Sequence, residues 1–177
     1  MAERLAAVPG RVRPMVEADL GLVLAWRNHA DIRRYMFNTK TVTEDEHRRW
    51  FERATADTER ALLIFEREGQ AAGFASFSCG PHPRVADWGF YAAPGAPKGT
   101  GRALGNAALQ HAFDHLALHK VCGLVMGSNT RSVNLHLGIG FRQEGLLREH
   151  HFDGSSYQDV LCFGLLSREW RARSKDE

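Results

Sequence analysis

The stretch Trp88 to Leu116, WGFYAAPGAPKGTGRALGNAALQHAFDHL, limits the folds open to this 177-residue chain more than any other. A short apolar run reads as a strand and a glycine-rich turn follows it. Leu104, Ala108, Leu109, Ala112, Phe113 and Leu116 then recur at a period near 3.6, which predicts a helix over 100–117. Glycine lets the backbone approach bound oxygens, and a helix start offers free N–H groups and a favourable dipole. Strand, turn and helix in this order therefore point to a phosphate-bearing ligand. Gly99 and Gly101 weaken the start of the helix, so their presence there calls for a purpose.

The rest of the chain supplies a sheet for that unit. Val12–Val16 reads as a first strand, with Asp19 as cap of a helix through Asn28. Thr43-Glu44-Asp45-Glu46 has the form of a capping box, so HRRWFERAT should be helical. ALLIFE and QAAGFASFS form a hairpin around Gly69, Lys120–Met126 a buried strand and TRSVNLHLG a short helix. QEGLLREHHF and YQDVLCFGLL are two last strands joined by DGSS. The order β-α-α-β-β-β-α-β-α-β-β predicts an α/β (α+β) fold, a mixed sheet with helices on its faces, in one domain over 1–177. Residues 171–177 read as a frayed tail.

Composition narrows the function classes. With 44% hydrophobic and 25% charged residues the chain sits near the globular average. A net charge of +2, spread in mixed signs, lacks the footprint of a nucleic-acid binder. The opening MAERLAAVPGRVRP has no apolar core of a secretory signal, and no run is long enough to span a bilayer, which suggests a cytoplasmic protein without membrane partners. Cys79, Cys122 and Cys162 are odd in number and widely spaced, reading as reduced, buried thiols, and no metal site is expected. His150 and His151 are adjacent on a strand and point to opposite faces, so they read as structural.

Among phosphate-binding patterns, the P-loop is missing, since no Gly-Lys-Ser/Thr occurs. The spacing of Gly99, Gly101 and Gly105 departs from the dinucleotide fingerprint, and Gly127-Ser128-Asn129 lacks its acidic residue. Ala92-Ala93-Pro94 followed by Gly99-Thr100-Gly101 resembles the GCN5-related acetyltransferase (GNAT) family, in which a strand ending V-x-P leads into Q/R-x-x-G-x-G/A. Asn129-Thr130-Arg131-Ser132 through Gly140-Phe141 is similar to that family's second pattern, with Asn129, Ser132, Leu135, Gly140 and Phe141 in register. The resemblance covers essentially the whole chain. It implies a mostly antiparallel seven-stranded sheet with helices on both faces and acetyl-CoA as cosubstrate. It also implies a cofactor site at Tyr91, Ala92, Ala93, Lys98, Gly99, Thr100, Gly101, Arg102, Asn129 and Ser132. Ala96 stands where the family has Gln or Arg, and Lys98 is expected to take over that charge.

The N-terminal third, LAWRNHADIRRYMF and then Thr43 to Trp50, resembles the branch that acetylates UDP-linked 4-amino-4,6-dideoxy-N-acetyl hexosamines on the way to pseudaminic acid. That resemblance implies a nucleotide pocket of Arg27, Met36, Phe37, His47, Trp50 and Tyr91. Aromatic rings suit a uracil, and a guanidinium suits phosphates. The bland reading puts Trp50 in the core, makes Arg27 a solvated charge and has Met36 and Phe37 plug the sheet. Asp87 could relay a proton or be a surface carboxylate, and it stays outside the catalytic set.

In the family, amine and thioester react directly. The sheet should splay between the cleft strand and the next one, and a backbone N–H near Tyr91 should stabilise the developing oxyanion. His136 occupies the place of the family's thiolate-protonating tyrosine. Either it serves as that acid, with an ordinary pKa of about 6.5, or it only packs. The candidate catalytic residues are thus His136 and Tyr91. Rival readings are an N-terminal protein acetyltransferase of the ribosomal-protein alanine type and a non-catalytic acyl-CoA-binding module. A homodimer is a candidate assembly.

Overall fold

A computed structural model describes residues 10–173. Its strands are β1 (Arg11–Pro14), β2 (Arg60–Arg67), β3 (Gln70–Cys79), β4 (Val85–Ala92), β5 (Lys120–Met126), β6 (Arg142–Phe152) and β7 (Tyr157–Leu166). Its helices are α1 (Leu20–Asn28), α2 (Ala30–Arg33), α3 (Glu44–Ala56), α4 (Thr100–Asp114), α5 (Thr130–Gly138) and α6 (Ser167–Arg173). The seven strands form one sheet in the order β1-β2-β3-β4-β5-β7-β6, antiparallel throughout except for β4 against β5. The expected fold class is the one found.

Both faces of the sheet are covered, and β2 shows this in its sequence. Leu63 and Phe65 point to a core shared with Leu104, Ala108, Leu109, Ala112 and Phe113 of α4, while Leu62 and Ile64 point to a second core with Leu20, Val23 and Trp26 of α1 and Ala54 of α3. Four consecutive buried apolar residues are what a strand covered on both sides requires. The β2–β3 turn is two residues long, and Glu68 and Gly69 both have positive φ, the backbone of a type I′ hairpin turn.

Local chemistry sets the helix bounds. Thr43 accepts from the Glu46 amide at 3.3 Å while the Glu46 carboxylate accepts from the Thr43 amide at 2.8 Å, so the expected capping box starts α3. The helix expected over 100–117 ends at Asp114: the Leu116 amide bonds back to His111 O and Ala117 turns to φ 51. Asp19 does not cap α1 through its side chain. Its carboxylate accepts from the Val16 amide at 2.9 Å and from both Nη atoms of Arg13 at 2.7 and 2.8 Å, closing a 3-10 turn at Glu17–Asp19. The nearby guanidinium outcompetes the helix amides for that carboxylate and holds it below the usual carboxylate range. The start of the expected tail, Arg171–Arg173, is the last turn of α6; 1–9, with most of the opening segment, and 174–177 lie outside the described residues.

Candidate active site

β4 and β5 are paired only from Val85 opposite Lys120 to Asp87 opposite Cys122. Each then continues with its outer neighbour, β4 with β3 as far as Ala92 and β5 with β7 as far as Met126. The parallel seam therefore opens into a fork at Trp88 and Gly123. Its two tips lead through short turns to the starts of α4 and α5, so both helix N-termini face the open end.

At the first tip, Gly99 is the N-cap of α4 with φ 91, and no heavy atom lies within 4 Å of where a Cβ would stand. The amides of Gly101 and Arg102 have no backbone acceptor among the described residues, which leaves them for an external anion. Lys98 is exposed beside this turn. The side chains of Thr100 and Arg102 are engaged elsewhere. The Thr100 hydroxyl donates to Pro97 O at 2.7 Å and accepts from Arg67 at 3.3 Å, and Arg102 donates to Gly138 O at the far end of α5. At the second tip, Asn129 accepts from the Ser132 amide at 3.2 Å and caps α5. An open glycine and free amides at a helix start suit an anionic group such as the pyrophosphate of acetyl-CoA.

The fork also decides which amides can meet a reacting carbonyl. The Ala93 amide donates to Ala72 O at 2.8 Å, so by antiparallel alternation the Tyr91 amide also faces β3. The amides that face the fork are those of Phe90 and Ala92, beyond the last pairing with β5. Of the amides near Tyr91, those of its two neighbours are therefore the ones open to the fork. Tyr91 instead sends its ring into the second core, where burial raises the phenol's pKa.

His136 does not present a proton to the fork. It is 3% exposed, and Trp88 Nε1–H donates to its Nε2 at 3.2 Å. That bond places the ring proton on Nδ1, which lies 2.8 Å from Ser132 O as its donor. Both nitrogens are engaged, Phe90, Phe141 and Phe163 surround the ring, and burial lowers its pKa. Both nitrogens are thus committed to partners within the protein, Nε2 to Trp88 and Nδ1 to Ser132.

On the other face of the sheet, most of the expected acceptor residues come together. His47 lies against Trp50, Trp50 meets Phe74 edge-on at 6.1 Å, and Phe74 lies 5.3 Å from Tyr91; Met36 packs against the same core. Arg27, at the end of α1, donates through Nη2 to Asn38 O at 2.6 Å. Its Nη1 and the Nε2 of His47 are buried side-chain atoms without a hydrogen-bond partner among the described residues. Such orphans are costly unless a ligand meets them. Burial, with a smaller push from Arg27, holds His47 below its ordinary pKa.

Phe37 stands apart at 47% exposure and touches His151 of β6 edge-to-face at 5.3 Å. His151 is the residue that sequence reasoning set aside as structural. No spacing could have found it, because the contact joins the loop before α3 to a strand more than a hundred residues on. Among the described residues, no group of three or more His, Cys, Asp or Glu could hold a metal ion, and no helix is long and apolar enough to cross a membrane.

The family profile of the acetyltransferase (GNAT) domain matches residues 11–142. Acetyltransferase PseH of Campylobacter jejuni is 27% identical over 118 residues, 67% of this chain and 73% of the relative. Spermidine N(1)-acetyltransferase of Vibrio cholerae is 28% identical over 167 residues, 93% of this chain and 96% of the relative. The crystal structure of a spermidine N-acetyltransferase from Vibrio cholerae in complex with CoA and spermine superposes with a TM-score of 0.85 at 26% identity, covering 92% of this chain and 98% of that one.

Proposed function

The chain belongs to the acetyltransferase (GNAT) domain family, and from that premise we propose that its acceptor is the 4-amino group of a UDP-linked 4-amino-4,6-dideoxy-N-acetyl hexosamine, as in pseudaminic acid biosynthesis. The observation that carries this reading is the pair of buried, unpartnered nitrogens on Arg27 and His47 beside the rings of Trp50 and Tyr91. A guanidinium with its Nη1 left unpartnered suits a diphosphate, and the ring set suits a uracil. Similarity to PseH over two thirds of the chain supports the same acceptor.

The spermidine relatives cover more of the chain and make a polyamine the main competitor. Charge argues against it. The segment 27–40, which carries the acceptor residues before α3, holds Arg27, Arg33, Arg34 and Lys40 against the single acid Asp31. Such a wall attracts a nucleotide diphosphate and repels a polycation. The three cysteines are free thiols, which suits the cytoplasm, where a nucleotide sugar and acetyl-CoA meet.

Acetyl-CoA supplies the activated acetyl group. Gly99, Gly101 and Arg102 would hold its pyrophosphate through backbone amides, with Lys98 adding charge, and Ala92, Ala93, Asn129 and Ser132 would line the fork tips. The amides of Phe90 and Ala92 would receive the developing oxyanion, and the amine would attack along the Tyr91 face of the sheet. With His136 tied at both nitrogens, protons travel by water. Free thiol release is the test: purified protein and acetyl-CoA are mixed with the UDP-4-amino sugar, with spermidine, or with an alanine-starting ribosomal peptide. Release dependent on the sugar is expected; release with spermidine or the peptide and not with the sugar overturns the acceptor assignment.

A further inference from the structure

Where the backbone ladder between β4 and β5 stops, a side-chain bridge begins. The last pair is Asp87 and Cys122, so Trp88 and Gly123 are the first residues of the open fork. Trp88 Nε1–H reaches His136 Nε2 on α5 through the space that a side chain at position 123 would fill. A Cβ on Gly123 would lie 2.8 Å from His136 Nε2 and 2.9 Å from Trp88 Nε1. The ring of His136 is fixed in turn, by its Nδ1–H to Ser132 O and by a stack on Phe163 of β7 at 5.0 Å and 24°. Trp88 is fixed by a stack on Phe141 at 5.2 Å and 13°. β4 is therefore tied at the fork to α5 and the strands beyond β5, across a gap left by a missing side chain.

We propose that the Trp88–His136 hydrogen bond, passing over Gly123, is the wedge that sets the separation of β4 and β5 and so the width of the slot for the pantetheine arm of acetyl-CoA. His136 is on this account a positioning residue, acting through Trp88 on the strand whose Phe90 and Ala92 amides face the slot. The proposal rests on the fork being the acyl-CoA site and is independent of which amine is the acceptor. It explains why histidine stands at this position: a ring with an acceptor nitrogen and a donor nitrogen on opposite sides meets the indole and the helix carbonyl at once, which a phenol does not.

The test compares two ligands by calorimetry: acetyl-CoA, and 3′-phospho-ADP, its nucleotide half without the pantetheine arm. Trp88→Phe, His136→Phe and the double variant keep an aromatic ring at each position while removing the hydrogen bond, and Gly123→Ala fills the gap. Each single variant is expected to bind acetyl-CoA about tenfold more weakly, the effect of one buried hydrogen bond, with 3′-phospho-ADP unchanged. The double variant should be no weaker than either single one, since both remove the same contact. Equal weakening for both ligands, additive losses, or unchanged acetyl-CoA affinity in folded variants overturns the wedge. Should the variants fail to fold, the Trp88 indole N–H signal in the unaltered protein decides: it should shift with acetyl-CoA and stay put with 3′-phospho-ADP. A shift common to both ligands, or none with acetyl-CoA, rejects the proposal.

Discussion

His47 lies flat against Trp50, with ring centroids 5.0 Å apart and planes 20° from parallel. Residues three apart on a helix share a face, and here the shared face of α3 looks across Phe74 toward Tyr91. Trp50→Ala should weaken UDP binding by roughly five- to 150-fold, the span of about 1–3 kcal/mol for loss of a base-stacking platform. Acetyl-CoA affinity should stay unchanged, because the ring stands on the other side of the sheet from α4. Titration with UDP and with acetyl-CoA checks both halves.

Arg27 tests the charge half of the same assignment. Arg27→Ala should weaken UDP binding at least about tenfold, while binding of uridine without phosphates changes little, since charge-assisted bonds to phosphate are lost and stacking is kept. Equal losses for uridine and UDP would show that Arg27 shapes the pocket rather than meeting the diphosphate.

Phe37, in the loop before α3, and His151, on β6, are joined by an edge-to-face contact. Phe37→Ala and His151→Ala are expected to raise the KM for the acceptor several-fold with kcat and Tm nearly unchanged, because Phe37 is half exposed and little core is lost. The double variant should match the singles. Steady-state kinetics and a thermal melt on the three proteins check it.

The buried histidines make stability depend on pH in a defined direction. His47 and His136 both have pKa values lowered by burial, so the folded protein holds them neutral, while the unfolded chain takes up their protons from about pH 6.5 downward. Stability from these groups is complete above that pH and is lost as pH falls below it. Thermal melts should be flat near neutrality and fall on the acid side, with His136→Phe flattening the slope. A Tm that rises on acidification through this range would contradict the burial of both rings.

Gly99 has φ 91, a conformation that side chains adopt at a cost. Gly99→Ala should lower stability by about 1 kcal/mol and weaken acetyl-CoA binding, although nothing stands in the way of the added methyl. A melt and a binding titration read the two effects separately.

Much of this was legible before the structure, and the exceptions share a cause. The bounds of α5 and β7 follow from an Asn cap at position 129 and a DGSS turn, both local signals, and α3 begins at its capping box. The glycine turn announced a phosphate site for the same reason. The direction of a strand amide is not local: only the pairing of Tyr91 with Phe74 shows that the Tyr91 amide faces β3 while those of Phe90 and Ala92 face the fork. His136 reads from sequence as either an acid or a packing residue, and only the fold brings the indole of Trp88 to it from β4. Asp19 looks like a helix cap until Arg13 claims its carboxylate. In each case the deciding partner lies outside the motif or is set by sheet pairing, so no local signal carries it.

Three residue pairs hold β4 to β5, so the seven strands behave as two leaves, four strands in one and three in the other. Along this seam the leaves share only those backbone pairs and otherwise meet through the side chains of one common core. A ligand lying in the fork bridges the leaves and lends its binding energy to their cohesion. Loaded with acetyl-CoA, the protein should melt as a single block; without it, the three-stranded leaf should loosen first.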